Sequence, residues 1–309
     1  MPGMTSKGME AELGRQTTLH TAQAEAAALH GMYRDTLAAF VTAPAAVPLP
    51  RAARAMYWLG RLRQWRAIDL NGGEAFPSTN WLSLQLGVVE GLAGTHALAL
   101  HKEQWSAPGR RQIYERDMAL QIAMLLALGW RELAAFALEA WFETDPELTA
   151  VHPIGGIAGM IVGIAGDALG ISVPQTTFQK SDAVLAYARD HWRRDDGAFA
   201  AVIHQLADRR LSQCRLDTEA TLFDFDHPVE QAIPVELLML MRLRDKPDIP
   251  QWLHGHPGMQ HPAATLVAAG PPALSQRCTQ FIERVNRLLP PYRALSRALL
   301  QQAESLQHA

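Results

Sequence analysis

A chain of 309 residues, 48% hydrophobic and 19% charged, can bury a large core as one domain or two. Its net charge of −3 supplies no global field to recruit nucleic acid or an anionic membrane, so electrostatic recognition has to be local. Two cysteines, Cys214 and Cys278, lie far apart without metal-ligand spacing, which fits buried thiols in a reducing cytosol.

The opening "MPGMTSKGMEAELGRQ" has no apolar core of signal-peptide length, and residues 1–18 read as a flexible tail. Beyond it apolar residues recur at steps of three and four, which predicts helices over Thr21–Val41, Arg51–Leu70, Thr79–His101, Arg110–Leu128 and Arg131–Thr144. The same spacing continues over Ile154–Leu169, Ser181–Arg193, Gly197–Leu211, Pro234–Arg244, Ala273–Leu288 and Pro291–Leu306. Breaks such as "APAAVPLP", "NGGEAFPSTN" and "AAGPP" punctuate the helices. Ser78 or Thr79 and Ser181 are expected as caps, while Pro234 and Pro291 suit first helical positions. The expected fold is all-α: a multi-helix globular bundle, either continuous or split into packed subdomains at 19–145 and 146–309.

Glycines in "HPIGGIAGMIVGIAGDALG" step by three and four from Gly156 through Gly159, Gly163 and Gly166 to Gly170, placing them on one helix face. A helical glycine costs up to ~1 kcal/mol relative to alanine. Close approach of another helix backbone, within the chain or from a second subunit, is the expected compensation. The longest apolar stretch, Ile154 to Gly166, is shorter than the ~20 residues needed to cross a bilayer. A cytoplasmic protein with no membrane contact is the expectation.

"TLFDFDHPVEQ", Thr221 to Gln231, resembles the Asp-x-Asp opening of haloacid-dehalogenase-type phosphatases in Asp224 and Asp226. That chemistry needs a buried strand upstream and a flexible turn downstream. The chain instead has polar "SQCRLDTEAT" before the motif and His227-Pro228 after it, with no strand–helix alternation around it. A Gly-x-Ser-x-Gly elbow, a P-loop and Gly-x-Gly-x-x-Gly are all missing from the sequence, so the reading is non-catalytic and without cofactor.

Two alternatives come from local composition. His254, His256 and His261 in "LHGHPGMQHP", with Asp226, offer zinc-type donors for a helical metal-dependent hydrolase. Yet His152, His227, His256 and His261 all precede proline, a habit of turns in which imidazole bonds nearby backbone. "RAARAMYWLGRLRQWR" sets Arg51, Arg54, Arg61, Arg63 and Arg66 among Tyr57, Trp58 and Trp65 and could stack on bases. The simpler reading buries one side of that helix while its arginines snorkel or pair with distant acids, so no direct nucleic-acid contact is expected.

From Leu216 to Met241 no Lys or Arg occurs, while Asp217, Glu219, Asp224, Asp226, Glu230 and Glu236 all fall inside, with Phe223 and Phe225 interleaved. Acids with aromatic anchors suit a basic protein partner. The bland reading is a solvated loop with two phenylalanines tucked into the core.

"IPVELLMLMRLRDKPDIP", Ile233 to Pro250, followed by "HPGMQHP", resembles the carboxy-terminal block of immunity proteins that pair with PoNe-type DNase toxins. That block runs Pro-hydrophobic-Glu, a hydrophobic helix, Arg-x-Arg, a linker and His-Pro, matching Pro234, Glu236, Arg242, Arg244, His256 and Pro257. "IYERDMALQIAMLLALGW", Ile113 to Trp130, is similar to the family's leucine-rich amino-terminal helix. Where the family carries Leu after His-Pro, this chain has Gly258 or Ala263. The resemblance implies a non-catalytic, all-helical cytoplasmic protein that neutralises a nuclease made by the same cell and delivered by type VI secretion. Asp224, Asp226 and Glu230 are the carboxylates expected to stand in for substrate phosphates, with Asp217, Glu219, Phe223 and Phe225 completing the toxin-binding set.

Overall fold

The computed structural model describes residues 27–43, 46–68, 76–100, 115–142, 153–218, 221–246 and 248–307. The tail at 1–18, the 145/146 boundary, His152 and Glu219 lie outside the described residues, as do several helix ends expected from the sequence. Within them the fold is all-α. A first helix, α1, covers 27–42. It is followed by α2 (Leu49–Ile68), α3 (Ser78–Ala99), α4 (Glu115–Ala127), α5 (Arg131–Phe142) and α6 (Gly156–Leu169). Next come α7 (Ala183–His191), α8 (Asp196–Gln213), short α9 (Pro228–Ala232), α10 (Val235–Leu243) and single-turn α11 (Gln251–His254). The chain closes with α12 (Gln276–Leu288) and α13 (Arg293–Gln307). Among the described residues the only extended pairing is two-residue β1 (Ile154–Gly155) parallel to β2 (Thr176–Thr177). No helix among them is long and apolar enough to cross a membrane.

Buried side chains from both halves of the chain form one cluster, with α4, α6 and α10 at its centre. α12 shows how the sequence builds it: Cys278, Phe281, Ile282 and Val285 face inward at the three-and-four spacing of an amphipathic helix. Ser275 caps that helix, its hydroxyl accepting from the Cys278 N–H. Burial pushes the Cys278 thiol up, as it does the partly buried Cys214. Two large side chains that enter the core bond backbone there: the Trp130 indole donates to the Gly270 carbonyl at 2.9 Å, and the Tyr292 hydroxyl to the Ala93 carbonyl at 2.7 Å.

α2 and α3 approach backbone to backbone at their glycines. A methyl group on Gly60 would sit 2.5 Å from the Gly87 carbonyl oxygen, and one on Gly94 2.6 Å from the Ala53 oxygen. The glycine face of α6 is covered differently from the sequence expectation. Gly159 abuts the Ile154 carbonyl, Gly163 the Arg189 side chain and Thr176, and Gly166 Val173 and Ile171. The β1–β2 pair, α7 and the loop after α6 fill that face; among the described residues no second helix backbone does. Arg189 reaches across it to Asp167 at 2.7 Å.

Several caps also differ. α3 begins after Pro77 with no side-chain cap, although Ser78 and Thr79 were available. Ser181 lies inside a 3-10 turn, Lys180–Asp182, capped by Gln179. Pro234 is the residue before α10, and Pro291 sits in the 3-10 turn that leads into α13.

Candidate functional site

The segment from Gln213 to Glu236 joins α8 to α10 and carries most of the expected contact residues. Asp224 and Phe225 form a tight turn, and His227 starts α9 by accepting the Val229 N–H on Nδ1 at 3.2 Å. Neither aspartate ends a strand, so the phosphatase geometry is not built.

Cation-free in sequence from Leu216 onward, the segment is not so in space. Four arginines from three helices hold it. Arg116, in the first turn of α4, donates to Asp217 at 3.3 and 3.2 Å, to Asp226 at 2.9 Å and to the Phe223 carbonyl. Asp217 also accepts the Phe223 N–H at 2.7 Å. Arg209 of α8 pairs with Asp224. Arg61 of α2 meets Glu230 in a two-pronged pair at 2.7 and 2.5 Å, across 169 residues of sequence. Arg210 of α8 sits 3.0 Å from both oxygens of Glu236, donates to the Glu230 and Gln231 carbonyls, and lies 4.4 Å above the Phe225 ring.

The electrostatics follow from this burial. Burial raises the Asp226 carboxyl to about 6, with the Asp217 and Asp117 charges adding to the rise and Arg116 opposing it. Asp224 is likewise raised by burial against Arg209. For Glu230, burial is outweighed by the charge and hydrogen bonds of Arg61, so its carboxyl falls below the usual range. His227 is pushed down to about 3 by burial and by Arg61, and is therefore neutral. Phe225 is fully buried, while Phe223 is half-buried with the Arg215 guanidinium 6.0 Å from its ring.

The carboxylates expected to stand in for substrate phosphates, Asp224, Asp226 and Glu230, are engaged within the chain. Asp217, Asp224, Asp226 and Glu230 are brought together, but each already has an arginine of its own chain. Their role in the fold is to fasten the loop, because a buried carboxylate needs a cation and donors to offset its desolvation. The sequence signal for the other half of these pairs was present in part: Arg61 lay in the arginine-rich helix read as pairing with distant acids. Arg116, Arg209 and Arg210 carried no such signal.

Of the six positions matching the immunity-family block, Glu236, Arg244 and His256 each bond a residue of α8. Pro234 precedes α10 and Glu236 binds Arg210. Arg242 donates to the Leu266 carbonyl at 3.2 Å. Arg244 donates to the carbonyls of Trp192 and Arg194 and to Asp196, over the Phe199 ring. His256 accepts the Gly258 N–H on Nδ1 and holds Asp208 of α8 through Nε2 at 3.1 Å, just before the 3-10 turn that opens with Pro257.

The histidines do not assemble a metal site. His254 turns Nε2 to the Ile249 carbonyl, and His261 uses Nε2 on the Ile68 carbonyl and Nδ1 on the Ala263 N–H. Two of them, His254 and His261, border an open cavity of about 460 Å³ with Asp248, Gln260 and Thr265. Among the described residues no three His, Cys, Asp or Glu side chains are grouped to hold a metal ion. The donor set of the hydrolase alternative is thereby dispersed.

No family model matches the chain, and no curated protein or solved structure matches it either.

Proposed function

We propose that this chain is an immunity protein of a toxin–immunity pair, which binds a nuclease toxin of its own cell in the cytoplasm and neutralises it. It works without a cofactor and contacts the toxin protein, not nucleic acid or membrane. The supporting observation is that, among Pro234, Glu236, Arg242, Arg244, His256 and Pro257, three residues (Glu236, Arg244 and His256) each bond a residue of α8. Positions scattered over 24 residues of sequence tie α8, α10 and their flanking loops into one unit. Fixed points of a shared fold are expected to behave in this way. Type VI delivery of the toxin belongs to the same reading.

The test is co-expression with the nuclease encoded by the adjacent gene. The expected result is restored growth and a stoichiometric complex in size-exclusion chromatography with light scattering. A neighbour without nuclease activity, or a nuclease whose toxicity the chain leaves unchanged, overturns the proposal. Asp224→Lys/Asp226→Lys is not an informative docking variant, since it breaks two internal ion pairs.

A further inference from the structure

One buried carboxylate gathers more positive charge than it can neutralise. Glu90 of α3, fully buried, accepts from Arg63 Nε at 3.1 Å, from Arg277 Nε and Nη2 at 2.8 and 2.7 Å, and from the Ser275 hydroxyl at 2.5 Å. Arg63 comes from α2 and Arg277 from the first turn of α12, so one anion holds guanidiniums of two helices side by side. Arg63 engages it through Nε alone, and its side chain is 26% exposed. Both Nη groups of Arg63 and the Nη1 of Arg277 have no bonded partner among the described residues.

Further cations surround this pair. Arg66, one turn along α2 from Arg63, is exposed and meets no carboxylate among the described residues. Arg34 of α1 is also exposed and, among the described residues, pairs with Asp35 beside it. Their convergence is registered by His30 of α1, lowered by burial and then by the charges of Arg66, Arg277, Arg34 and Arg63. The amino-terminal end of the α12 dipole adds potential of the same sign. Among the described residues four arginines thus meet only Glu90 and Asp35, a local excess of positive charge on a chain whose net charge is −3.

The surroundings favour a protein over a nucleic acid. Leu29 and Met32, on either side of His30 along α1, are 42% and 49% exposed. Arginine and methionine beside apolar area, with no lysine in the group, is the composition of protein interfaces. The nearby rings of Tyr33 and Trp65 are half-buried against the core instead of standing free for base stacking. Fixing the guanidiniums on Glu90 also lowers the entropy lost when they engage a second anion.

We propose that the surface formed by Arg34, Arg63, Arg66 and Arg277, flanked by Leu29 and Met32, docks an acidic segment of a partner protein. The inference does not depend on that partner being a toxin. It gives the chain an arginine contact face in place of the carboxylates of 217–230, which are engaged internally.

The test uses the full-length chain and a fluorescein-labelled peptide of repeated Glu-Glu-Leu, followed by anisotropy at increasing salt. Arg66→Glu alters an exposed side chain with no hydrogen bond or ion pair among the described residues, and Arg293→Glu on α13 makes the same charge change elsewhere. Saturable, salt-sensitive binding is expected, weakened about tenfold or more by Arg66→Glu and less than about twofold by Arg293→Glu. Circular dichroism of both variants should match the parent chain. Absence of binding, or equal loss in the two variants, overturns the proposal. Tighter, Arg66-dependent binding of a single-stranded oligonucleotide of equal charge also overturns it, by identifying the surface as one for nucleic acid.

Discussion

Arg210 and Glu236 face each other inside the core, both side chains 1% exposed, with one guanidinium nitrogen equidistant at 3.0 Å from the two carboxylate oxygens. The pair anchors α8 to α10, and the same guanidinium collects two backbone carbonyls from α9. Removing one partner strands a buried charge. Glu236→Ala or Arg210→Ala is expected to cost about 3–5 kcal/mol in urea denaturation. Arg210→Met with Glu236→Leu should recover much of that loss, since neither charge is then left alone. A double variant as unstable as the singles would show that the carbonyl contacts, and not the ion pair, dominate.

His96 gives a pH dependence with a definite sign. Its ring is buried against Phe136 and Tyr292 with both nitrogens unbonded, and burial pushes its pKa from 6.5 down to about 4. The folded state refuses a proton that the unfolded chain accepts, so this contribution is complete above pH 6.5 and is lost as pH falls toward 4. Asp226 runs the other way: raised from 3.8 to about 6, it adds stability as pH falls through 6 toward 3.8. His96→Phe removes only the first effect. Between about pH 7 and pH 4.5 the variant should lose less stability than the parent, by up to ~3 kcal/mol. Parallel pH profiles would exclude His96 as the titrating group.

Two glycines one helix apart should respond oppositely to the same substitution. Gly60→Ala drives a methyl into the Gly87 and Gly91 backbone at 2.5 and 2.6 Å, which only separation of α2 from α3 can relieve. Gly91→Ala meets nothing closer than 3.8 Å. Thermal melts should show a loss of several degrees or failure to fold for the first, and a gain of up to ~1 kcal/mol for the second.

The His-Pro turns are the part of this chain most fully legible in its sequence. In His227, His256 and His261 the imidazole Nδ1 accepts the N–H two residues on, closing a turn around the proline. His256→Asn keeps an acceptor at nearly the same reach and should retain most of the stability. His256→Leu should lose about 1 kcal/mol, read from chemical denaturation. Equal losses in the two would assign the effect to the Asp208 contact instead.

The helices were legible for a related reason: three-and-four spacing and Pro or Gly breaks are local signals, and α2, α6, α8, α10, α12 and α13 fall close to where they point. The partners of the acidic segment were not. Arg61 and Glu230 stand 169 residues apart and Arg116 and Asp226 110 apart, and no periodicity encodes which arginine a folded chain delivers to which carboxylate. The α6 glycines failed in the same way. Their spacing revealed a face needing close cover, while the cover itself, Thr176 and Arg189, depends on how a loop returns.

The stapled segment makes the chain a self-reporting assembly. Its carboxylates can be neutralised only after α2, α4 and α8 have come together, because each helix supplies a different arginine. Until then the segment is a repelling run of like charge, open to proteolysis. Its resistance to a protease thus measures whether α2 and α4, distant in sequence, have docked beside α8, and a lesion in any of them is transmitted to one loop.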